Sequence, residues 1–142
     1  MRDNRRSAFT LIEILIVVVI MAVLAATIIP QFTDSTEDAK LSTAEFNLNT
    51  LRAQIELFKA QHGGTAPDPL SELTTTTTYD GKTYNPYLNA VPENTITGST
   101  AAKASAGSPI VIGDITAGDG AGWVYDSDTG EVRLDHVDHW QK

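Results

Sequence analysis

The sequence predicts an α+β fold in which one long N-terminal helix, apolar in its first half and amphipathic in its second, packs on a small C-terminal antiparallel sheet. Three observations carry this reading. Residues 9–29 form an apolar run of 21 residues, FTLIEILIVVVIMAVLAATII. Apolar positions then recur at spacings of 3, 4, 3, 4 and 3 through Leu41, Ala44, Leu48, Leu51, Ile55 and Phe58. Strand-like segments separated by turn residues gather at the C-terminal end. The organisation expected is a basic leader at 1–8, an apolar helix at 9–29, an amphipathic helix at 30–63, a loop-rich stretch at 64–108 and a small sheet with a tail at 109–142.

A helix over residues 9–29 would be about 31 Å long, the thickness of a bilayer hydrocarbon core. Arg2, Arg5 and Arg6 precede the run, whereas Asp34, Glu37 and Asp38 follow it. The positive-inside rule therefore keeps the N-terminus cytoplasmic and sends the body across the membrane. A conventional secretory signal wants an apolar stretch of about 7 to 15 residues, and this run is longer. Glu13 stands out within it, because a carboxylate at the bilayer centre costs on the order of 3 kcal/mol and is usually there for function. It lies four residues past Phe9, near enough to the interface to snorkel, so an interfacial acid is the alternative reading. Pro30 removes a backbone hydrogen bond and crowds the preceding turn, which predicts a kink.

The segment SAFTLIEILIVVVIMAVLAATIIPQF resembles the leader and first helix of type IV pilins and type II secretion pseudopilins. The resemblance implies cleavage between Ala8 and Phe9 by a prepilin peptidase, followed by N-methylation of Phe9. The family normally has glycine where this chain has Ala8. Glu13 falls on the family's acidic position and Pro30 on its helix-bending proline. Cleavage would remove the basic leader and create a terminal ammonium at Phe9 that a neighbouring subunit's Glu13 can neutralise. A paired charge is far cheaper in an apolar core than a lone one, and such a pair can set axial register.

After Pro30 the amphipathic stripe should pack on a sheet of the same chain, with Glu45, Arg52, Glu56 and Lys59 largely toward solvent or neighbouring subunits. Two and a half heptads are short for the competing coiled coil. Gly63 and Gly64 are placed to stop the helix, and His62 reads as a C-terminal residue favoured by the helix dipole. Residues 74–78 are five consecutive threonines, read as a polar linker or edge strand, with O-glycosylation as the alternative.

At the C-terminal end, PIVIGDI (109–115) reads as a strand, and GWVYD (122–126) with GEVRLD (130–135) as a hairpin whose inward positions are Trp123, Tyr125, Val132 and Leu134. The segments NPYLNAVPEN and GWVYDSDTGEVRLD also resemble major pseudopilins of type II secretion. Many of those bind calcium in a C-terminal loop, which here would lie near Asp114 and Asp119. Asp126, Asp128 and Glu131 around Gly130 form part of a carboxylate-rich turn, but the spacing is incomplete for a calcium loop and a plain hairpin is the simpler reading. His136 and His139, with Asp135 or Asp138, could share a transition metal only if the tail were helical.

Composition narrows the function further. The formal charge is −8, and without the first eight residues 7 bases face 17 acids, a charge of −10. Such a surface repels phosphate backbones, so nucleic acid is not an expected partner of the body. There is no cysteine, no GxSxG elbow and no phosphate-loop pattern, and no carboxylate pair is singled out, so catalysis is not expected. The resemblance implies a structural subunit of a type II secretion pseudopilus, an inner-membrane protein with an extracytoplasmic body. Its implied partners are further copies of itself, the prepilin peptidase, membrane lipid, the inner-membrane assembly platform and minor pseudopilins. A type IV pilin and a membrane-tethered binding protein are the alternatives.

Overall fold

In the computed structural model, residues 9–116 and 118–141 are described, without the side chains of residues 28–34. The expected leader, including Arg2, Arg5, Arg6 and Ala8, and the Pro30 side chain lie outside the described residues. The chain divides into two compact units, Met1–Asp38 and Ala39–Lys142.

One helix, α1 (Leu11–Gln61), supplies the first unit and begins the second. Its start is fixed by a capping box, since T-x-x-E places Thr10 before the first helical residue and Glu13 three positions later. Its end is fixed by glycine. Gly63 sits at φ 66° and Gly64 N–H donates to Lys59 O at 2.8 Å, closing the last turn in the left-handed manner. A Cβ at Gly63 would also collide with the Tyr79 hydroxyl. The helix is continuous through position 30.

In the second unit the predicted stripe is the core. Ala44, Leu48, Leu51, Ile55 and Phe58 are buried, with Leu41 only half-buried at the margin. They pack with Leu70, Leu73, Trp123, Tyr125, Val132 and Leu134. Each large side chain so buried contributes about 1.5 to 3 kcal/mol of transfer free energy.

The hairpin forms as expected: β4 (Trp123–Asp126) pairs antiparallel with β5 (Glu131–Leu134), Trp123 opposite Leu134 and Asp126 opposite Glu131. Gly130, at φ 80°, closes it with an N–H bond to Asp126 O at 2.8 Å. The third strand was not foreseen. It is β3 (Ala102–Ala104), which runs parallel to β4 and gives the sheet order β3-β4-β5. The C-terminal sheet is therefore mixed, the extra strand coming from the stretch read as loop.

PIVIGDI is not a strand. Residues Ile112–Asp114 form a 3-10 turn, and Ile110 and Ile115 instead fold over the far face of β4 to bury Val124, with Trp140 packed alongside. This explains why all of Trp123–Asp126 is buried: the sheet is covered on both faces. The loop-rich stretch also holds a 3-10 helix (Leu70–Thr74) and a small hairpin of β1 (Thr77–Tyr79) and β2 (Lys82–Tyr84). Part of the threonine run is thus an edge strand, as one of its readings held.

Candidate functional site: the helix terminus and the carboxylate loop

At the N-terminal end, Thr10 N–H and Thr10 Oγ1 donate to Glu13 Oε2 at 2.7 and 2.8 Å, and Glu13 N–H donates to Thr10 Oγ1 at 3.3 Å. The carboxylate singled out by the sequence is therefore satisfied inside its own chain, at the positive end of the helix dipole. Phe9 immediately precedes the cap and is 82% exposed. The T-x-x-E signature was present in the sequence as a second reason for an acid at position 13.

Every described side chain of residues 9–27 is exposed, among them Leu11, Ile12, Ile16, Ile20 and Leu24. A helix apolar on all sides has no stable place in water, so this segment needs lipid or other helices around it. Among the described residues no helix is long and apolar enough to cross a membrane.

At the other end of the chain the calcium candidates are engaged with internal donors. Asp114 takes Ala106 N–H and Val111 N–H on its two oxygens, both at 2.9 Å, and these bonds hold its carboxyl below the ordinary carboxylate range. Asp126 takes Asp128 N–H at 2.9 Å and Thr129 Oγ1 at 2.7 Å, an Asx turn that shapes the hairpin loop, while Asp128 is exposed. Asp119 takes Ala121 N–H at 2.9 Å and the Lys103 ammonium at 2.6 Å.

Calcium wants six to eight oxygens converging on one point. Among the described residues no group of three or more carboxylate or histidine side chains could hold a metal ion. The tail gives the same result: residues 137–141 are turns, and the His136 and His139 rings stack at 5.0 Å.

Sequence reasoning missed the cation that organises this loop. Lys103, central in β3, binds Asp119 at 2.6 Å and Asp135 at 3.0 Å. Burial works against its charge, but the bonds from Asp119 and Asp135 outweigh it and leave the Lys103 pKa raised. Asp135 has a nearly inaccessible side chain, and among the described residues its Oδ2 has no hydrogen-bond partner. Burial raises its pKa, with Lys103 and Thr116 N–H pulling the other way. One ammonium is shared by two carboxylates, and no local motif marks that pairing across residues 103, 119 and 135.

Two further anchors were also invisible. Asn94 is fully buried, donates to Gly122 O at 2.7 Å and accepts Ile96 N–H at 3.0 Å. Trp123 Nε1 donates to Pro92 O at 2.9 Å and the Tyr125 hydroxyl to Pro67 O at 2.7 Å, tying two loops to the sheet. The side chains expected to face solvent are partly recruited as well. Arg52 donates to Val132 O at 3.3 Å, and Lys59 bridges Glu56 and Thr129 O.

The long helix with a small C-terminal sheet is consistent with a pilin-like α+β fold, and residues 3–29 match the prokaryotic N-terminal methylation motif. Similarity extends to proteins named type II secretion system core protein G. The chain is 37% identical over 59 residues to the type II secretion system core protein G of Pseudomonas aeruginosa, covering 42% of each chain. It is 33% identical over 57 residues to the protein of the same name from Dickeya chrysanthemi, covering 40% of this chain and 37% of that one. The match thus spans less than half the length of either relative. No solved structure matches the chain.

Proposed function

We propose that this protein is a structural, non-catalytic subunit of a type II secretion pseudopilus. The observation that carries the reading is the methylation motif over residues 3–29, which leads into a helix exposed on all its apolar sides and interrupted by one acid, Glu13. The similarity to two type II core proteins G supports secretion over a type IV pilus.

In this reading the prepilin peptidase cuts between Ala8 and Phe9, and Phe9 is methylated. Before assembly the apolar helix rests in the inner membrane, N-terminus cytoplasmic and body outside. On the assembly platform, with minor pseudopilins, it exchanges lipid for the helices of other copies. Glu13 then trades its Thr10 cap for the terminal ammonium of a neighbour, and loosening near Pro30 adjusts the helix to the filament. The energetic logic is that burying one charge alone costs several kcal/mol, whereas a pair satisfies both.

The test is the N-terminal mass of the protein from its native membrane fraction, with and without the host's leader peptidase. A chain starting at methylated Phe9, only when the peptidase is present, is expected. An intact Met1 in both would overturn the reading.

A further inference from the structure

The third strand has an open side. β3 is an edge of the sheet, joined only to β4. Trp123 N–H donates to Ala101 O at 3.1 Å and Ser105 N–H to Tyr125 O at 2.9 Å, with Ala102 opposite Trp123 and Ala104 opposite Tyr125. In a parallel ladder alternate residues of a strand bond to one neighbour, here positions 101, 103 and 105. The N–H and C=O groups of Ala102 and Ala104 therefore point the other way, and among the described residues nothing is bonded to them.

They border a groove of about 500 Å³ lined by Asp68, Leu70, Ser71, Asn89, Val91 and Tyr125. Proteins usually block such edges with a projecting lysine, a proline or a bulge. Here Ala102 and Ala104 are exposed and small, and the ammonium of Lys103 is held by Asp119 and Asp135.

The charge around the groove selects its occupant. Asp68 lines it, and so does Lys103, whose ammonium is already held by Asp119 and Asp135. Burial raises the pKa of the Tyr125 hydroxyl in the lining, and Asp68, with Asp126 and Glu72 outside the lining, raises it further. A second copy offers a poor match, since positions 39–142 carry 13 acids against 7 bases. We propose that the outer edge of β3 is a strand-addition site for an extended, basic segment of another protein, which pairs with the Ala102 and Ala104 main chain and sets a lysine or arginine beside Asp68. Main-chain bonds supply affinity in this mode, and alternate side chains supply selectivity. The inference stands whether or not the protein forms pseudopili.

The experiment uses the full-length ¹⁵N-labelled chain in detergent micelles, titrated with the capped pentapeptide Val-Lys-Val-Lys-Val. Saturable amide shifts centred on Ala102 and Ala104 are expected. Binding should weaken at least tenfold when the peptide's lysines become glutamates, and at least tenfold when its alternate amides are N-methylated, a change that leaves the protein untouched. Asp68→Asn should weaken it severalfold. Equal binding of the N-methylated or the glutamate peptide, or shifts lying elsewhere, would overturn the proposal. So would concentration-dependent shifts at Ala102 without peptide, which would assign the edge to a second copy.

Discussion

His62 shows how much one side chain can hold together. It is 6% exposed and stacks on Phe58 at 3.8 Å, with Nδ1 at 3.0 Å from Phe58 O and Nε2 at 3.0 Å from Thr77 Oγ1. Tyr79, Tyr84 and Tyr87 surround the ring, so it joins the end of α1 to the small β1–β2 hairpin as well as serving the helix terminus. His62→Ala should cost about 2 to 4 kcal/mol, through a cavity and a stranded Thr77 hydroxyl, read as a lower urea midpoint. Lys103→Met would leave Asp119 and Asp135 without their cation and should cost on the order of 3 kcal/mol. Adding Asp135→Asn should recover part of that loss, and a double-mutant cycle measures the coupling. Asp114 gives the pH dependence. Its folded pKa lies below the unfolded value, so its contribution is present above the ordinary carboxylate range and lost as pH falls through the folded pKa. Asp114→Asn should therefore be less stable than the parent at pH 6, and the gap should narrow as unfolding is followed down through pH 4 to 3.

At the scale of the element, α1 presents two faces in the second unit. Leu48, Leu51 and Ile55 are buried against the sheet, whereas Phe46 is 71% exposed and Leu57 is also exposed. Leu51→Ala should cost about 2 to 5 kcal/mol in chemical unfolding, and Phe46→Ala less than about 0.5. The hairpin depends on Gly130. A Cβ there would approach Ile55 Cγ2 to 3.0 Å and Ala66 Cβ to 3.3 Å at a backbone angle that favours glycine, so the turn and the helix face constrain the same position.

For the whole molecule, the proposed assembly role makes predictions separable from folding. Glu13→Leu should leave a protein that enters membranes in normal amount but fails to join filaments, checked by sheared-filament yield against total membrane protein. Undiminished filament yield would remove the charge-pairing account. Phe46→Ala should lower that yield while leaving the melting temperature of the isolated protein unchanged, because an exposed aromatic on the helix has work to do only when copies meet.

The sequence by itself determined the elements whose signal is local. The apolar run, the stripe of Ala44, Leu48, Leu51, Ile55 and Phe58, the glycine stop after Gln61 and the hairpin closed at Gly130 all follow from periodicities and turn chemistry that act over a few residues. The methylation-type N-terminus was legible for the same reason, as a contiguous pattern from the leader to Pro30. Only the tertiary structure decided the rest. An alanine-rich segment became β3 because the free side of β4 needed a partner, and PIVIGDI lost its strand because its isoleucines were more useful as a cover for Val124. Lys103, Asp119 and Asp135 met across the chain, as did His62 with its tyrosines, through contacts whose partners lie far apart in sequence. Such contacts depend on where the backbone has already been brought, and no spacing along the chain announces them.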